Sequence, residues 1–378
     1  MSADSERENT DMKVLMVEHF SPGNTYTEEL TKSLSQHVQL TVLCRTNANC
    51  FTPGIDRRNV LYKGGEGKAI ALISYLKALI SLWVQTKSNR YDIVHVQTFK
   101  NAKAEMILYR RRNKRSRLVH TVHNLLPHEA SHKDIKLYKN FYSLCDALIV
   151  HNEECKKQLV RDFNIEADKI FVIPHGCYEV IKTPVEKKDD NKIHFLMFGV
   201  IRQYKGVDIL LSAISRIPLE SRKRMEFVIA GKQYTEQNPT NYDAMIQDLK
   251  ISDCVKLINR RIDDSELPEL FAWSDACLFP YRAIYGSGAL LMAYSYEKPV
   301  IASDVPVFVE ETEEGKTGLL FRSEDAKDLA NALCVFTNWT EAQRLECKKI
   351  INNMIQKKYN WENSAKKTYK LYNSLLMR

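Results

Sequence analysis

From Met12 onward the chain alternates short apolar runs with longer stretches whose apolar residues recur at helical spacing. Lys13–Val17, a β-rich run over 38–43, Asp92–Val96, Leu118–Val122, Ala147–Val150 and Ile170–Ile173 read as strands. Thr25–Gln36, Lys68–Thr86 and Ala102–Arg112 read as helices between them, the second repeating Ile70, Ile73, Leu76, Ile80 and Trp83 at helical intervals. A second alternation begins at Ile193, with strands expected at Ile193–Phe198, Phe227–Ala230, Val255–Ile258, Ala276–Phe279, Pro299–Ala302 and Thr317–Phe321. The rest, Ala326–Met377, reads as helix throughout, Trp361 opening a final amphipathic segment. Strands that alternate with helices pair in parallel through crossovers, so the pattern predicts an α/β protein of two Rossmann-like domains facing across a cleft, followed by C-terminal helices.

A polar, charge-dense stretch, Val185–Lys192, follows Pro184 and separates the two alternations. The expected layout is a disordered lead-in over 1–11, a first domain over 12–180, a linker over 181–192, a second domain over 193–360, and a last helix over 361–378 packing back toward the first domain. A length of 378 residues suits two domains, and 44% hydrophobic with 27% charged residues is ordinary for a globular chain. The nine cysteines contain no CxxC pair and several lie in apolar runs, as Cys277 does, which favours reduced, buried thiols over disulfides or a zinc site. The polar, acidic N-terminus does not resemble a secretory signal, so a cytoplasmic location is expected. The apolar window Ala69–Val84 is interrupted by Lys77 and reads as too short and too charged to span a bilayer.

Charge adds one feature. Formal net charge is +8, and Lys100, Lys103, Arg110, Arg111, Arg112, Lys114, Arg115 and Arg117 cluster against a single acid, Glu105. Such a cluster serves an anionic membrane surface or solubility; no helix-turn-helix, zinc-finger or RNA-binding signature accompanies it, so nucleic acid is not an expected partner.

The densest chemistry lies in Phe198-Gly-Val-Ile-Arg-Gln-Tyr-Lys-Gly206, where a strand runs into a turn holding Arg202 and Lys205 and then, past Gly206, into a helix. Two cations beside free helix N–H groups suit the diphosphate of a sugar nucleotide; the plain reading is a solvated pair on an ordinary βα turn. Gly286-Ser287-Gly288-Ala289, also entering a helix, offers a second set of backbone donors, or else a tight packing turn. His123 follows a strand whose carboxyl end should face the cleft, where an imidazole can donate to a sugar hydroxyl or stabilise charge. His128 and Glu129 follow as acceptor-side or orienting residues, while His175 reads as part of a structural turn. The second half holds no Asp-x-Asp cluster placed for a metal, and Asp263-Asp264 read as a helix cap, so neither metal nor cofactor is expected.

These motifs, with Ile229-Ala-Gly231, Leu278-Phe-Pro-Tyr281, Lys298-Pro-Val300 and Glu314-Gly-Lys-Thr-Gly318 in the second half and His120-Thr-Val-His-Asn124 and Val172-Ile-Pro-His-Gly176 in the first, resemble in their order the glycosyltransferases of family 4. That family has the GT-B architecture. The resemblance implies a hexosyltransferase that takes a UDP- or GDP-linked sugar, retains anomeric configuration, and acts on a saccharide acceptor, lipid-linked or free, in glycan or polysaccharide synthesis. It implies that Arg202 and Lys205 contact the donor diphosphate in place of a metal, that His123 contacts the donor sugar, and that a loop bearing Gly23 lies near the donor phosphate or acceptor; a helix cap by Asn24 or Thr25 is the alternative for that loop. It also places the basic stretch and the helix Lys68–Val84 in the acceptor half, consistent with peripheral membrane association. One departure stands out: the two glutamates usual around the helix start fall on Ile284 and Met292, with Tyr285, Ser287 and Glu297 as the nearest polar substitutes. That departure keeps open a catalytically degenerate sugar-nucleotide-binding partner subunit; an epimerase of similar architecture would need cleft carboxylates that the chain lacks.

Overall fold

The computed structural model describes residues 11–20, 25–45, 54–61, 67–126, 132–181 and 190–377. The lead-in over 1–10, the loop holding Gly23, the pair His128 and Glu129, and most of the expected linker lie outside them. The chain divides into two compact units, residues 1–176 with 358–378, and residues 177–357.

Unit 1 runs β1 (Lys13–Val17), α1 (Thr25–Leu34), β2 (Gln39–Arg45), β3 (Ile55–Leu61), α2 (Lys68–Lys87), β4 (Ile93–Val96), α3 (Ala102–Arg110), β5 (Arg117–Thr121), α4 (His132–Leu144), β6 (Ala147–Val150), α5 (Glu153–Phe163) and β7 (Ile170–Val172). Its sheet has the order β3-β2-β1-β4-β5-β6-β7 and is parallel throughout. Every residue of β4 and β6 is buried, as a parallel sheet covered on both faces requires. The hydrophobic pattern does not reveal β3, α4 or α5. β3 carries Asp56, Arg57, Arg58 and Asn59 in a sheet-edge strand, so no apolar run marks it.

Unit 2 runs β8 (Ile193–Phe198), α6 (Val207–Arg216), α7 (Leu219–Arg222), β9 (Met225–Ala230), α8 (Tyr242–Asp248), β10 (Val255–Ile258), α9 (Leu267–Trp273), β11 (Ala276–Phe279), α10 (Gly288–Ser295), β12 (Val300–Ser303), α11 (Pro306–Glu311), β13 (Gly318–Phe321), α12 (Ala326–Thr337) and α13 (Glu341–Lys357). Its parallel sheet has the order β10-β9-β8-β11-β12-β13. Both sheets reverse strand order once, between β1 and β4 and between β8 and β11, and the carboxyl ends of such neighbouring strands are where open α/β sheets bind ligands.

The expected single helix over Ala326–Met377 is three. Asn338–Thr340 separates α12 from α13, and after Lys357 a break leads to α14 (Trp361–Leu376), whose start is capped by the Asn360 side chain accepting from the Glu362 and Asn363 N–H groups. α14 belongs to unit 1, where it packs on α1. Trp361 lies against Gly176, where any Cβ would enter the indole ring, and the Ser364 hydroxyl donates to Pro174 O at 2.7 Å.

Candidate functional site

In unit 2 the turn after β8 is built from its backbone outward. Gly199 N donates to Ala230 O at 2.9 Å and Ile201 N to Lys232 O at 3.0 Å, so the chain stays registered on β9 beyond the strand itself. A short 3₁₀ turn, Gln203–Lys205, then reverses it. Gly206 closes the turn at φ +70°, where a Cβ would strike the Pro280 carbonyl after β11; only glycine combines that φ with that approach. The Lys205 side chain is carried inward, 7% exposed, with Nζ 3.4 Å from Phe198 O and 5.3 Å from the Tyr281 ring centre. Burial, reinforced by the Arg202 charge, lowers its pKa to about 8. Arg202 is half-buried and makes no ion pair among the described residues. A buried ammonium without a carboxylate, beside a second cation, is costly unless an anion joins them.

Arg282, at the end of β11, is a functional residue that the sequence reading missed. Its guanidinium forks onto Asp208 at 3.0 and 2.6 Å, reaches Glu324 at 3.1 Å and donates to Gln203 O at 2.9 Å, while its backbone N donates to Tyr204 O at 2.7 Å. It ties the cation turn to the strand across the switch point. The signal was faint, one arginine following Leu278-Phe-Pro-Tyr281. Alongside the turn opens a cavity of about 470 Å³ lined by Phe198, Gly199, Val200, Gly231, Lys232, Tyr234, Arg261 and Ile262.

The segment 286–289 divides into distinct roles. Ser287 is buried and N-caps α10, its Oγ accepting from Leu290 N at 3.1 Å. Gly288 lies near Tyr178, whose hydroxyl would be 2.7 Å from an added Cβ, whereas Gly286 stands in open space. Gly288 and Ala289 occupy the first helical turn, where N–H groups lack intrahelical partners. Ile284 and Met292 are both half-exposed. Of the three polar substitutes, Tyr285 and Ser287 lie at this helix start, while Glu297 lies beyond the other end of α10, at φ +57°.

In unit 1 the carboxyl edge of the sheet gathers histidines. His123 follows β5, His151 follows β6 and His175 follows β7, with Tyr26 of α1 against all three rings at centroid distances of 4.7, 5.1 and 4.9 Å. His151 Nδ1 donates to Ile173 O at 3.0 Å, and its Nε2 lies 3.4 Å from His123 Nδ1. His123 Nε2 lies 3.1 Å from Gln97 Oε1, which can only accept, so neutral His123 carries its proton on Nε2 and donates it there. Burial, followed by the neighbouring histidines, holds His123 well below the ordinary imidazole value; burial brings His151 to about 4 and His175 to about 3. His151 and Gln97 carry no signal in the sequence, because only the sheet brings them to His123.

Beside this edge, at the switch point, buried Glu18 accepts from Thr27 Oγ1 at 2.7 Å, Thr98 Oγ1 at 2.6 Å and Phe20 N at 2.8 Å. The described cysteines are nearly all buried. One group among the described residues could hold a cation: Asp190, His194 and Glu226, with ligand atoms within 4.8 Å of one another. It sits at the amino ends of β8 and β9, the opposite edge from the Lys205 turn. Asp263 caps as expected, its N–H donating to Glu266 Oε2 at 2.9 Å, but the element it opens is a 3₁₀ turn.

Comparison with known proteins gives these geometries a family. The profile described as Glycosyltransferase Family 4 matches residues 23–177, and that of Glycosyl transferases group 1 matches residues 192–338. A GDP-mannose:glycolipid 4-beta-D-mannosyltransferase of Xanthomonas campestris is 27% identical over 64% of this chain and 70% of its own length. A UDP-Gal:alpha-D-GlcNAc-diphosphoundecaprenol alpha-1,3-galactosyltransferase of Escherichia coli is 26% identical over 71% of this chain and 72% of its own. A D-inositol 3-phosphate glycosyltransferase of Stackebrandtia nassauensis is 29% identical over 50% of this chain, which spans only 45% of that protein. Among solved structures, sucrose-phosphate synthase from Thermosynechococcus elongatus superposes with a TM-score of 0.74 at 18% identity over 97% of this chain and 99% of its own. Anabaena HepE in complex with UDP and glucose gives 0.71 at 16% over 96% and 100%, and these two likenesses speak to the GT-B fold. The chain belongs to glycosyltransferase family 4 and has the GT-B fold.

Proposed function

We propose that this enzyme moves a hexosyl group from a UDP- or GDP-sugar to a saccharide carried on a lipid, with retention of configuration and without a metal ion. The observation that carries the reading is Lys205, an ammonium buried beside Arg202 with no carboxylate among the described residues to balance it, its Nζ against Phe198 and Gly199, which line the 470 Å³ cavity. A nucleoside diphosphate supplies the missing negative charge, and the two cations neutralise the charge that grows on it as the sugar departs. The nucleoside occupies the cavity, and the first turn of α10, at Gly288 and Ala289, adds backbone donors. The named activities of the mannosyl- and galactosyltransferase relatives, which use a glycolipid and a diphosphoundecaprenol-linked acceptor, support the lipid-linked choice.

In the proposed step the bond from the anomeric carbon to the β-phosphate oxygen breaks while the acceptor oxygen bonds to the same face of that carbon. The acceptor hydroxyl's proton passes to the leaving phosphate oxygen. His123 contacts the donor sugar in this scheme, its Nε2–H, held on Gln97 Oε1 in the free protein, being the group that donates to a sugar hydroxyl. Arg202 and Lys205 are catalytic residues in this scheme, and Arg282 positions them.

The test is Arg202→Ala combined with Lys205→Ala, assayed for UDP and GDP affinity and for donor turnover in the presence and absence of EDTA. Removing two charge-assisted hydrogen bonds to the diphosphate should weaken nucleotide binding by about 100-fold. Wild-type binding should also weaken as pH rises above about 8, where Lys205 loses its proton. Unchanged affinity in the variant would remove the site, and turnover abolished by EDTA would remove the metal-independent mechanism.

A further inference from the structure

We infer that unit 1 docks on an anionic lipid leaflet through the outward face of α2, an inference that deepens the lipid-linked acceptor reading and rests on it for its biological purpose. The sequence pattern of α2 suggests an amphipathic helix with one apolar stripe. In the structure the side turned to the protein is apolar too, with Ala78 and Leu82 buried, and the helix packs on β3 and α3. The stripe read from sequence is the opposite one. Ile70, Leu72, Ile73, Leu76, Ile80, Trp83 and Val84 are all between 46% and 61% exposed. At 100° per residue they cover an arc of about 160°, interrupted on the outside only by Lys77 and, at the end, Lys87. This helix, Ala69–Lys87, is also long and apolar enough to cross a bilayer by length and composition, contrary to the expectation from its lysines. Its packing on β3 and α3 instead lays it along the surface of unit 1.

Charge decides among occupants. Of the eight clustered cations, Arg112 is buried on Asp146 at 2.8 Å and on Ser116 O at 3.1 Å, and Arg117 lies 3.6 Å from Asp146, so these two serve the fold. The exposed remainder includes Lys103, Arg110 and Arg111 on or just after α3, and Lys114 and Arg115 in the following turn. That turn is fastened to the end of α2, since Asn113 N donates to Thr86 O at 2.9 Å, and Ile107 of α3 adds a further exposed apolar side chain. From 68 to 117 the acids are Asp92, which accepts from Lys13 N, and Glu105, which is buried against His19 at 2.9 Å. A surface of large apolar side chains edged by cations, where the exposed acid of neighbouring β3, Asp56, is paired with Arg58 at 2.8 Å, matches acyl chains beneath anionic headgroups. A second copy of the same face would oppose cation to cation, and a partner protein would need an apolar groove rimmed by acids.

Co-sedimentation of the full chain with vesicles of phosphatidylcholine alone, and of phosphatidylcholine mixed with phosphatidylglycerol, tests this directly. Binding is expected to the mixed vesicles and to weaken with added salt. Leu76→Glu with Ile80→Glu should lower partitioning by about tenfold or more. Arg110→Glu with Arg111→Glu should lower it on the mixed vesicles only. The replaced side chains are exposed, so circular dichroism and nucleotide affinity should stay at wild-type values. Arg202→Ala with Lys205→Ala should still sediment, which separates failure of the donor site from failure of the membrane face. Wild-type protein that ignores both vesicles, or a Leu76→Glu, Ile80→Glu variant that sediments as well as wild type, would overturn the proposal. So would solution dimerisation that the same variant abolishes without any vesicle binding.

Discussion

The two units build the same carboxyl-edge geometry and fill it with opposite electrostatics. Unit 1 lines its edge with His123, His151 and His175, imidazoles held neutral by burial and, for His123 and His175, by their histidine neighbours. Unit 2 has a single histidine, His194, and places it at the other edge; at its carboxyl edge it keeps a buried ammonium. Neutral imidazoles suit hydroxyl groups of sugars, and unbalanced cations suit phosphate. One architecture thus serves two kinds of ligand group because a Rossmann-like sheet fixes where side chains converge but leaves their charge to the loops.

The comparison can be broken most forcefully at α14. Trp361→Ala removes the ring against Tyr26, His175 and Gly176 and should cost unit 1 about 3–5 kcal/mol, read as a shifted denaturation midpoint. Nucleotide affinity, which depends on unit 2, should not change; an equal loss there would mean that the units are not energetically separate.

Acid should then divide the units in opposite directions. In unit 1 the folded histidines titrate below their ordinary value, so the unfolded chain takes up protons that the fold refuses, and stability falls as pH drops from about 6.5 toward about 4. In unit 2, burial opposes the His194 charge, but bonding and charge from Asp275 and Asp190 outweigh it and raise its pKa. Its contribution is complete below the ordinary histidine value and is lost as pH rises through the raised folded value. Hydrogen exchange resolved by peptide at pH 7 and pH 5 should show unit 1 loosening at the lower value and unit 2 tightening; parallel behaviour would refute the contrast.

The smallest effect is expected at the start of α10. Ser287→Ala removes a cap and should cost about 1 kcal/mol of unit 2 stability, with at most a several-fold change in nucleotide affinity. A far larger loss of affinity with the same stability cost would assign the Ser287 hydroxyl to the ligand rather than to the helix.

Much of this is legible before folding. The strands of unit 2 announce themselves as apolar runs, and the Arg202–Lys205 turn follows one of them directly, so that part of the site is contiguous in sequence. Arg282 is not legible, since it acts on Gln203 and Tyr204 from the next strand over. β3 escapes because edge strands tolerate polar residues, and the pattern of α2 leaves open which side meets the protein because a helix apolar on both sides gives periodicity no reason to prefer one.

What the sequence by itself determined is the order of strands and helices, the family, and the presence of two cations at a strand-to-helix turn, because backbone periodicity and short motifs are local properties of the chain. Tertiary structure alone decided which face of α2 meets solvent, that Arg112 is committed to the fold, and that Gln97 Oε1 meets His123 Nε2. Each of those depends on which distant residues share a surface, and that is set by how the sheets order their strands rather than by any residue's own neighbours.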